Sequence, residues 1–477
     1  MSFDELLQLV SREKRLHVCS DSRLVKPGDI FVAVTGTSVD GHDFIDKAVA
    51  GGAKFVVAEK PCRSSGVEVI IVEDSAMAAG LLAQAYRGNP ASKLVNLAVT
   101  GTNGKTTVGF LVQAMVKSTG QKCGLIGTVT YDTGEQLIEA NMTTPDCADI
   151  ARMQQEMVKA GAGYMVIEAS SHALSQNRLS GINFKSAAFT NLTGDHLDYH
   201  KTEKDYLAAK AILFEELAAD ATAILNKDAP HSQELAKKTK AKILWYAIDK
   251  QADIVAHIEL MDINGTVFAI EYNGGRQIVH TPLLGRHNIS NHLAAAGLCL
   301  GAGFDLKTVA EGLSTLKLVP GRLDKVEWDG QFSILVDYAH TDDALKNVLT
   351  TLKPLCKGKL ILVFGCGGDR DRTKRPRMAG AAEQLADFII VTSDNPRTER
   401  PEAIIEEIIT GFKNPRADTI RIEPDRKKAI KLAIEKACKN DIVLIAGKGH
   451  ETYQIIGKEK NDFNDKQIAW EYLKKLR

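Results

Sequence analysis

The chain has 477 residues, of which 44% are hydrophobic and 25% are charged, a composition typical of globular proteins. A chain of this length is too long for a single hydrophobic core, and we expect about three domains. Lysine plus arginine and aspartate plus glutamate both number 60, and this balance argues against nucleic acid or an anionic membrane surface as a partner.

The first residues carry no sign of export. Asp4 and Glu5 stand where a secretory signal would be basic, and no apolar run in the sequence reaches the length of a membrane span. The eight cysteines are scattered and form no Cys-x-x-Cys pair, which is typical of free thiols in a reducing compartment. We therefore expect a cytoplasmic protein with no membrane insertion.

Two clusters of turn-forming residues divide the chain. The first is "YRGNPASK" at 86–93, and the second is "LVPGRLD" at 318–324, where Pro320 and Gly321 precede a strand-like segment. They predict domains at 1–88, 89–320 and 321–477.

Short apolar runs recur in the second and third of these domains. They predict strands buried on both faces, at "LVNLAVT", "GYMVIEA", "SAAFTNL", "ATAILNKD", "KLILVFG", "DFIIVTS" and "DIVLIAG". Helical patterns such as "DRKKAIKLAIEKACK" lie between them, so the predicted fold class is α/β with a mainly parallel sheet. Polar motifs follow several of these runs directly, and ligands of such sheets bind beyond the carboxyl ends of the strands.

The stretch "LAVTGTNGKTTVGF" (97–110) has the order strand, glycine-rich loop, helix. Gly101 and Gly104 allow backbone N–H groups to converge on phosphate oxygens at a helix N-terminus. Lys105 can reach the terminal phosphates, and Thr106 can offer its hydroxyl to Mg²⁺. Val99 stands where the full Walker pattern has glycine. A shorter variant of the loop is therefore predicted to bind ATP through Gly101, Thr102, Asn103, Gly104, Lys105, Thr106 and Thr107.

Magnesium requires further ligands. Glu168 ends the strand-like "YMVIEASSH", and His196 lies among several acids in "NLTGDHLDYH". Both motifs follow strands of the same predicted sheet, so we expect them to contribute to a metal site.

Many motifs in one order resemble those of the Mur ligases, ATP-dependent enzymes that add amino acids to the muropeptide precursor of bacterial cell walls. The motifs are "DSRLVKPGDIFVA", "TGTNGKTT", "NMTTPD", "EASSHAL", "TNLTGDHLDYH", "YLAAKAILF", "LLGRHNISNHLAAAG", "VPGRLD", "VDYAHTDDAL", "GCGGDRDRTKRP", "DNPRTE" and "AGKGHE". The resemblance implies an N-terminal α/β domain for the UDP moiety, a central P-loop ATPase α/β domain with a mainly parallel sheet, and a C-terminal Rossmann-like α/β domain for the amino acid.

Within the family, the "DSR" segment and the "DNPR" loop resemble ligases that add meso-2,6-diaminopimelate to UDP-N-acetylmuramoyl-L-alanyl-D-glutamate. The resemblance implies that the D-glutamyl carboxylate attacks the γ-phosphate of ATP and forms an acyl phosphate. The amine of diaminopimelate then displaces phosphate and an amide results.

The resemblance also implies roles for individual residues. Thr106 and Glu168 hold one Mg²⁺, His196 helps to hold a second, and Lys210 is carbamylated, which turns a repelling ammonium into a carboxylate-like ligand. The expected catalytic residues are Lys105, Glu168, His196 and Lys210. Asn288, Arg322 and Asp337 match positions that contact the adenine nucleotide, although Asn288 also suits the cap of a helix over 289–299.

The nucleotide-sugar substrate has its own set of matching positions. Ser22 matches a serine near the uracil, and 37–39 ("TSV") corresponds to the uridine-facing segment. The positions that match contacts to the sugar and peptide are Thr143, Thr144, Ser170, Gln176 and Arg178. Asp342 departs from the family pattern, which has proline there, and it matches no residue of the chemistry.

The added amino acid is predicted from its charges. Diaminopimelate is lysine with a second carboxylate, and Arg397 of "DNPR" can bind that group bidentately. Asp394, Asn395 and Pro396 belong to the same loop. Glu451 can accept the distal ammonium, Gly447 allows close backbone approach, and Arg370 adds a second cation. If lysine bound instead, Arg397 would lack its partner, and such mismatches support strong discrimination.

Other functions remain open on the sequence. The nearest alternative is a lysine-adding muropeptide ligase, followed by folylpolyglutamate synthase, which the "DSR" segment disfavours. A P-loop switch that hydrolyses ATP without ligation is a different class, and the loops for both organic substrates argue against it. A NAD dehydrogenase is disfavoured because "GTNGKTT" is not Gly-x-Gly-x-x-Gly. Neither His172 nor His196 is singled out as general base, and we expect a monomer.

Overall fold

The computed structural model describes residues 1–13, 16–36, 39–62 and 66–475. Its contacts divide the chain into two compact units. The first contains Met1–Ala256, Ile270–Gln277 and Ser290–Thr315, and the second contains His257–Ala269, Ile278–Ile289 and Leu316–Arg477. The domain boundaries predicted after residues 88 and 320 therefore stay predictions.

The N-terminal part of the first unit is a parallel sheet of four strands in the order β1-β2-β3-β4. The strands are β1 (Val18–Cys19), β2 (Ile30–Val32), β3 (Phe55–Ala58) and β4 (Glu68–Ile71). The helices of this part are α1 (Phe3–Arg12), α2 (Ile45–Ala50) and α3 (Ser75–Tyr86), with a 3₁₀ turn at Gly41–Phe44. Ser2 and Glu5 form a capping box that starts the first helix.

The rest of the first unit is built on a larger sheet, of which eight strands lie wholly within this unit, in the order β12-β11-β10-β5-β9-β6-β7-β8. They are β5 (Val95–Thr100), β6 (Cys123–Ile126), β7 (Thr130–Asp132), β8 (Leu137–Glu139), β9 (Tyr164–Glu168), β10 (Phe184–Phe189), β11 (Thr222–Asn226) and β12 (Lys242–Ala247). Strand β5 pairs in parallel with both β9 and β10. The carboxyl ends of these three strands therefore meet at one edge of the sheet, as the sequence predicted.

Helices connect these strands. They are α4 (Lys105–Ser118), α5 (Cys147–Lys159), α6 (Ser171–Ser175), α7 (Leu197–His200), α8 (Glu203–Glu215), α9 (Ser232–Lys238) and α11 (Leu306–Leu313), with a 3₁₀ turn at Pro90–Lys93. Four elements have residues in both units: β13 (Ile254–Asp262), β14 (Gly265–Tyr272), β15 (Gly275–Thr281) and α10 (Arg286–Gly301).

The second unit is built on a sheet of six strands in the order β16-β17-β21-β18-β19-β20. They are β16 (Asp324–Lys325), β17 (Ser333–Asp337), β18 (Leu360–Phe364), β19 (Phe388–Val391), β20 (Ile420–Ile422) and β21 (Ile442–Ala446). All pair in parallel except β16, which is antiparallel to β17. A hairpin of β22 (Tyr453–Ile456) and β23 (Glu459–Asp462) follows.

Helices cover both faces of this sheet. They are α12 (Asp342–Leu352), α13 (Lys374–Leu385), α14 (Pro401–Ile409), α15 (Arg426–Lys436) and α16 (Asp465–Lys475), with a 3₁₀ turn at Lys353–Leu355. Alternate residues of β18 belong to different cores: Leu360 and Leu362 pack in one cluster, and Ile361 and Val363 in the other. This two-sided burial explains the continuous apolar runs, because neither face of the strand meets water. The predicted α/β class is confirmed.

Across the part of the chain that the structure describes, no helix combines the length and the apolar character needed to cross a membrane.

Candidate active site

The glycine-rich loop lies between β5 and α4 at the carboxyl edge of the large sheet. Gly104 has φ +93° and immediately precedes the helix, and a side chain there would collide with the amide of Asn291. Gly101 has φ +145°, and a side chain there would collide with Thr190. Both positions therefore require glycine, as the sequence predicted. The loop presents the start of α4 in the form that favours phosphate groups.

Lys105 is the first residue of α4, and its side chain folds back over the loop. The Nζ atom donates to the carbonyl oxygens of Gly101 at 2.9 Å and Thr102 at 2.8 Å. The rest of the loop is also held by Asn191, which follows β10, and by Tyr206 of α8. The N–H of Asn103 donates to Asn191, and the Thr102 hydroxyl lies 3.2 Å from that of Tyr206.

Glu168 is buried at the end of β9, with 1% of its surface exposed. Its Oε2 accepts from the Thr106 hydroxyl at 3.1 Å, so the two predicted metal ligands are adjacent. Thr128 also binds this carboxylate, through its N–H at 2.9 Å and its hydroxyl at 3.0 Å. The sequence reasoning missed Thr128, because "GTVTYD" carries no motif of its own.

The predicted sugar and peptide contacts begin beside Glu168. The Thr143 hydroxyl lies 3.0 Å from that of Thr128. The Thr144 hydroxyl donates to the Glu168 carbonyl oxygen at 2.6 Å, and the Ser170 N–H donates to Thr144 at 3.0 Å. Hydrogen bonds thus link Glu168, through Thr128 in one case, to the predicted muropeptide residues Thr143, Thr144 and Ser170.

Gln176 and Arg178 extend this group. The Arg178 guanidinium donates to Gln176 Oε1 at 2.6 Å and to the Thr144 carbonyl oxygen at 2.7 Å. The neighbouring Asn177 donates to Asp74 at 2.7 Å, which connects the group to the N-terminal sheet through the cap of α3. Ser22 lies in a turn after β1. Of the predicted uridine segment, residues 37–38 lie outside the described residues.

His196 and Lys210 both lie beside Tyr206. The His196 ring centroid is 6.1 Å from that of Tyr206, and the Lys210 Nζ is 4.2 Å above the same ring. His196 has φ +55°, and its Nε2 lies 3.5 Å from Asp195. The His172 and His196 rings make an edge contact at 5.0 Å between centroids. Neither histidine is distinguished by this geometry as a general base.

Lys210 is 1% exposed, and its Nζ donates to the Gly101 carbonyl oxygen at 3.0 Å. Burial, together with the charge of Lys105, lowers the pKa of the Lys210 amine well below its usual value. Lys210 therefore does not extend into solvent, as a lysine at the edge of a helix commonly does.

Magnesium fits the residues present at this edge. The Thr106 hydroxyl and the Glu168 carboxylate are oxygen donors of the kind that Mg²⁺ prefers. A carbamate on Lys210 would add a third oxygen donor to the same loop. Among the described residues no three His, Cys, Asp or Glu side chains form a metal-holding group.

In the second unit, Arg322 and Asp337 come together at the end of β17. The Arg322 guanidinium lies 5.1 Å from the centroid of the Tyr338 ring. The Asp337 carboxylate accepts from the N–H groups of Leu323 at 2.7 Å and Ala339 at 2.8 Å. Burial raises the pKa of the Asp337 carboxyl, and Arg322 opposes this shift.

Asn288 is buried in the first turn of α10 rather than at a helix cap. The helix begins at Arg286, and the Asn288 side chain donates to the carbonyl oxygen of Leu284 at 2.8 Å. The alternative of a cap followed by a helix over 289–299 is therefore wrong, because the cap position precedes the helix and its side chain accepts a backbone N–H.

The predicted amino-acid residues other than Arg370 lie on loops that follow β19 and β21. Asp394 and Asn395 are buried, and a side chain at Gly447 would collide with the Asp394 carboxylate. Arg397 has φ +50°, and its guanidinium donates to the Gly368 carbonyl oxygen at 2.8 Å. The loop after β18 therefore adjoins the "DNPR" loop.

Arg370, by contrast, is exposed and donates to the adjacent Asp369 carbonyl oxygen at 3.0 Å. A side chain at Gly367 would lie 3.0 Å from Arg397 Nη1 and 3.9 Å from Arg370 Cγ, so the two predicted cations flank the same glycine.

The β22–β23 hairpin binds the "DNPR" loop along its length, which the sequence reasoning missed. Gln454 donates to the Asp394 carbonyl oxygen at 2.6 Å, and the Ile455 N–H donates to the Asn395 side chain at 2.9 Å. The Arg397 N–H and carbonyl oxygen bond to Ile455 and Gly457 at 3.1 and 2.8 Å. Because the hairpin is separated from the loop by more than fifty residues, no local pattern announces the pairing.

A buried ion pair lies beneath the same loops. The Arg426 guanidinium binds Asp465 bidentately at 2.8 and 2.7 Å, and neither side chain is exposed. Arg426 also donates to the carbonyl oxygen of Ala446 at 3.0 Å.

Glu451 accepts from the Asn395 amide at 2.8 Å and from Lys448 at 2.9 Å.

A parallel sheet with a glycine-rich loop between strand β5 and helix α4, and with a buried carboxylate and hydroxyl beside that loop, is typical of P-loop α/β proteins. Three family models match successive parts of the chain. They are the Mur ligase family catalytic domain (17–93), the Mur ligase middle domain (99–299) and the Mur ligase glutamate ligase domain (321–449). The chain belongs to the Mur ligase family and has its three-domain architecture.

Individual relatives are similar over nearly the whole chain. The UDP-N-acetylmuramoyl-L-alanyl-D-glutamate--2,6-diaminopimelate ligase of Geobacillus thermodenitrificans is 44% identical over 463 residues, 96% of this chain and 94% of the relative. A solved structure of a ligase with the same title is 35% identical, with a TM-score of 0.71, over 96% of this chain and 95% of that one.

A more distant structure shares the fold. Folylpolyglutamate synthase of Mycobacterium tuberculosis, solved with ADP and AMPPCP, is 19% identical with a TM-score of 0.65. It covers 78% of this chain, and this chain covers 92% of it.

Proposed function

We propose that this chain is an ATP-dependent amide ligase that joins meso-2,6-diaminopimelate to UDP-N-acetylmuramoyl-L-alanyl-D-glutamate in peptidoglycan precursor synthesis. The observation that carries the proposal is the 44% identity, over 96% of the chain, to a relative of that name. The two alternatives nearest to it, a lysine-adding ligase and a folylpolyglutamate synthase, share the ATPase core and differ in the organic substrates.

In the first step the D-glutamyl carboxylate attacks the γ-phosphate of ATP, and an acyl phosphate and ADP result. This step brings negative charges together, so cations must be placed before reaction. The seven residues of the loop, 101–107, are proposed to hold the phosphates. The turned-back position of Lys105 on the Gly101 and Thr102 carbonyl oxygens supports a side chain that exchanges these acceptors for phosphate oxygens.

Thr106, Glu168, His196 and carbamylated Lys210 are proposed to hold Mg²⁺, which would neutralise charge between carboxylate and triphosphate. The depressed pKa of Lys210 supports the modification, because only the neutral amine can attack carbon dioxide. A C–N bond forms, a proton leaves, and the product is a carbamate anion. Asn288, Arg322 and Asp337 are proposed to contact the rest of the nucleotide.

Ser22, Thr143, Thr144, Ser170, Gln176 and Arg178 are proposed to bind the nucleotide-sugar dipeptide. The hydrogen bonds that join Glu168, Thr144 and Arg178 support this assignment, because they bring the substrate residues to the metal carboxylate. Arg178 can bind a carboxylate or phosphate of the substrate in the bidentate mode open to arginine.

In the second step the amine of diaminopimelate attacks the acyl phosphate, an amide forms and phosphate leaves. Arg397 is proposed to bind the distal carboxylate and Glu451 the distal ammonium, with Asp394, Asn395, Pro396 and Gly447 shaping the site and Arg370 adding positive charge. The hairpin contacts of the "DNPR" loop support a preformed site. We further propose that the protein is a monomer and lies in the cytoplasm. Size-exclusion chromatography measures the oligomeric state.

The test is an assay of ADP release by the full-length chain. We expect release only when ATP, the UDP-muramoyl dipeptide and meso-diaminopimelate are all present, with a tripeptide product detected by mass spectrometry. Faster ligation of L-lysine would identify the lysine-adding alternative. ADP release that is independent of both organic substrates would identify a switch.

A further inference from the structure

The loop after β21 carries a lysine that the reaction has not used. Lys448 lies between Gly447 and Gly449, whose φ angles are +116° and +54°, and its side chain is fully buried. A buried ammonium is costly unless it is paired and hydrogen-bonded, so its partners are informative.

Both hydrogen-bond partners of Lys448 belong to the proposed amino-acid site. Its Nζ donates to Glu451 Oε2 at 2.9 Å and to Asn395 Oδ1 at 3.1 Å. The same nitrogen lies 5.5 Å from the centroid of the Tyr453 ring, within the range of a cation–π contact. The lysine thereby joins the loop after β21 to the loop after β19.

These bonds determine which atoms of Asn395 remain for a ligand. Its Oδ1 accepts from Lys448 and from the Ile455 N–H, and its Nδ2 donates to Glu451 Oε2 at 2.8 Å. Lys448 and the Ile455 N–H are donors, so they require the oxygen of the Asn395 amide on their side, and the Glu451 acceptor requires the nitrogen on the other side. An orientation with the oxygen and nitrogen exchanged is therefore excluded. Asn395 therefore presents one remaining N–H, which suits a carboxylate.

Glu451 is constrained in the same way. Its Oε2 accepts from both Lys448 and Asn395, whereas its Oε1 has no hydrogen bond to any described residue. The carboxylate thus presents one acceptor to a ligand. An ammonium group is the complementary partner, and the 14% exposure of the Glu451 side chain leaves it accessible.

We propose that Lys448 is a positioning residue of the amino-acid site, which holds Glu451 and Asn395 so that one offers an acceptor and the other a donor to the distal amino-acid end of diaminopimelate. The inference rests on the proposed function. It adds that Lys448, a buried cation that need not touch the substrate, sets the roles of Glu451 and Asn395, which do touch it.

The test compares Lys448→Met with wild type and with Lys460→Met. Lys460 is an exposed lysine whose Nζ lies 3.7 Å from the same Tyr453 ring, so it controls for loss of a lysine beside that ring. For Lys448→Met we expect the KM for meso-diaminopimelate to rise about 10- to 100-fold, the effect of losing hydrogen bonds to a charged group. The KM values for ATP and the UDP-muramoyl dipeptide stay within about twofold, a range well below that effect.

Hydroxylamine trapping of the acyl phosphate, without the amino acid, gives a second readout, and we expect equal yields from Lys448→Met and wild type. An unchanged KM for diaminopimelate, or an equal rise in all three KM values, would overturn the inference. Failure of the wild-type chain to ligate diaminopimelate would instead overturn the proposed function.

A crystal structure of the wild-type chain with meso-diaminopimelate keeps the inference testable if Lys448→Met does not fold. We expect the distal ammonium on Glu451 Oε1 while Oε2 stays on Lys448. A complex in which Glu451 turns away from Lys448 would contradict the proposal.

Discussion

Lys105 and Lys210 donate to the same acceptor, the carbonyl oxygen of Gly101, at 2.9 and 3.0 Å. One lysine comes from the start of α4 and the other from the middle of α8. Two ammonium groups on one carbonyl oxygen repel each other, and Lys210 is the buried member of the pair. Loss of its proton, or its conversion to a carbamate, replaces this repulsion by a neutral or attractive contact.

The first prediction concerns the carbamate. Lys210→Ala should abolish ligation, and excess bicarbonate should not restore it, because the variant has no amine to modify. Lys204→Ala, which removes an exposed lysine from the same helix, should ligate normally. Activity is measured as ADP release, and the carbamate as a ¹³C resonance after exposure to ¹³CO₂. Full activity of Lys210→Ala would refute the role.

The second prediction is a dependence of stability on pH for the unmodified chain in buffer free of carbon dioxide. The folded-state pKa of Lys210 is depressed below 10.5, so between the depressed value and 10.5 the unfolded chain binds a proton that the folded chain does not. The free energy of unfolding contributed by this group therefore rises with pH. Urea unfolding gives the free energy of unfolding of wild type and of Lys210→Met. The value for wild type minus the value for Lys210→Met should increase from about pH 7 to about pH 10. A constant difference would contradict the depressed pKa.

The third prediction tests the Thr106 hydroxyl that contacts Glu168. Thr106→Val keeps the shape of the side chain but removes the oxygen, and it should raise the Mg²⁺ concentration for half-maximal activity by about tenfold or more. Thr106→Ser retains the oxygen and should resemble wild type. Initial rates against Mg²⁺ concentration measure both variants. Equal Mg²⁺ requirements for valine and serine would rule out the hydroxyl as a ligand.

The fourth prediction concerns selection of the amino acid. Arg397→Met should lower kcat/KM for meso-diaminopimelate by about a hundredfold, because a charged hydrogen-bonding partner of its distal carboxylate is lost. Ligation of L-lysine, which has no such carboxylate, should change far less. Arg416→Met, which removes an exposed arginine of the same unit, is the control. An unchanged ratio between the two amino acids would remove Arg397 from the specificity site.

The fifth prediction concerns stability beneath the amino-acid loops. Asp465→Asn leaves the buried Arg426 guanidinium without its charged partner, which should cost about 3–5 kcal/mol in the free energy of unfolding. Glu435→Gln breaks an exposed pair with Lys431 on the same helix as Arg426, and it should cost less than about 1 kcal/mol. Urea unfolding measures both. Similar costs for the two variants would show that burial of the pair is not decisive.

Much of the fold follows from local patterns. The apolar runs that end at Thr100, Glu168 and Phe189 are strands of one parallel sheet, because strands covered on both faces have little reason to carry polar residues. The alternative prediction for Asn288, that it caps a helix over 289–299, was wrong. The helix starts at Arg286, three residues before the predicted start at 289, and helix boundaries depend on where the backbone finds its partners rather than on one residue type.

The sequence by itself determined the class of fold, the family and the position of the glycine-rich loop between a strand and a helix, because these depend on periodicity and on residue types at short spacings. The tertiary structure alone decided that Lys210 is buried beside Lys105, that Thr128 holds Glu168, and that Lys448 joins Glu451 to Asn395. The physical reason is that burial, the pKa of an amine and the free atoms of a carboxylate depend on which distant segments pack together. No pattern within a short segment carries that information.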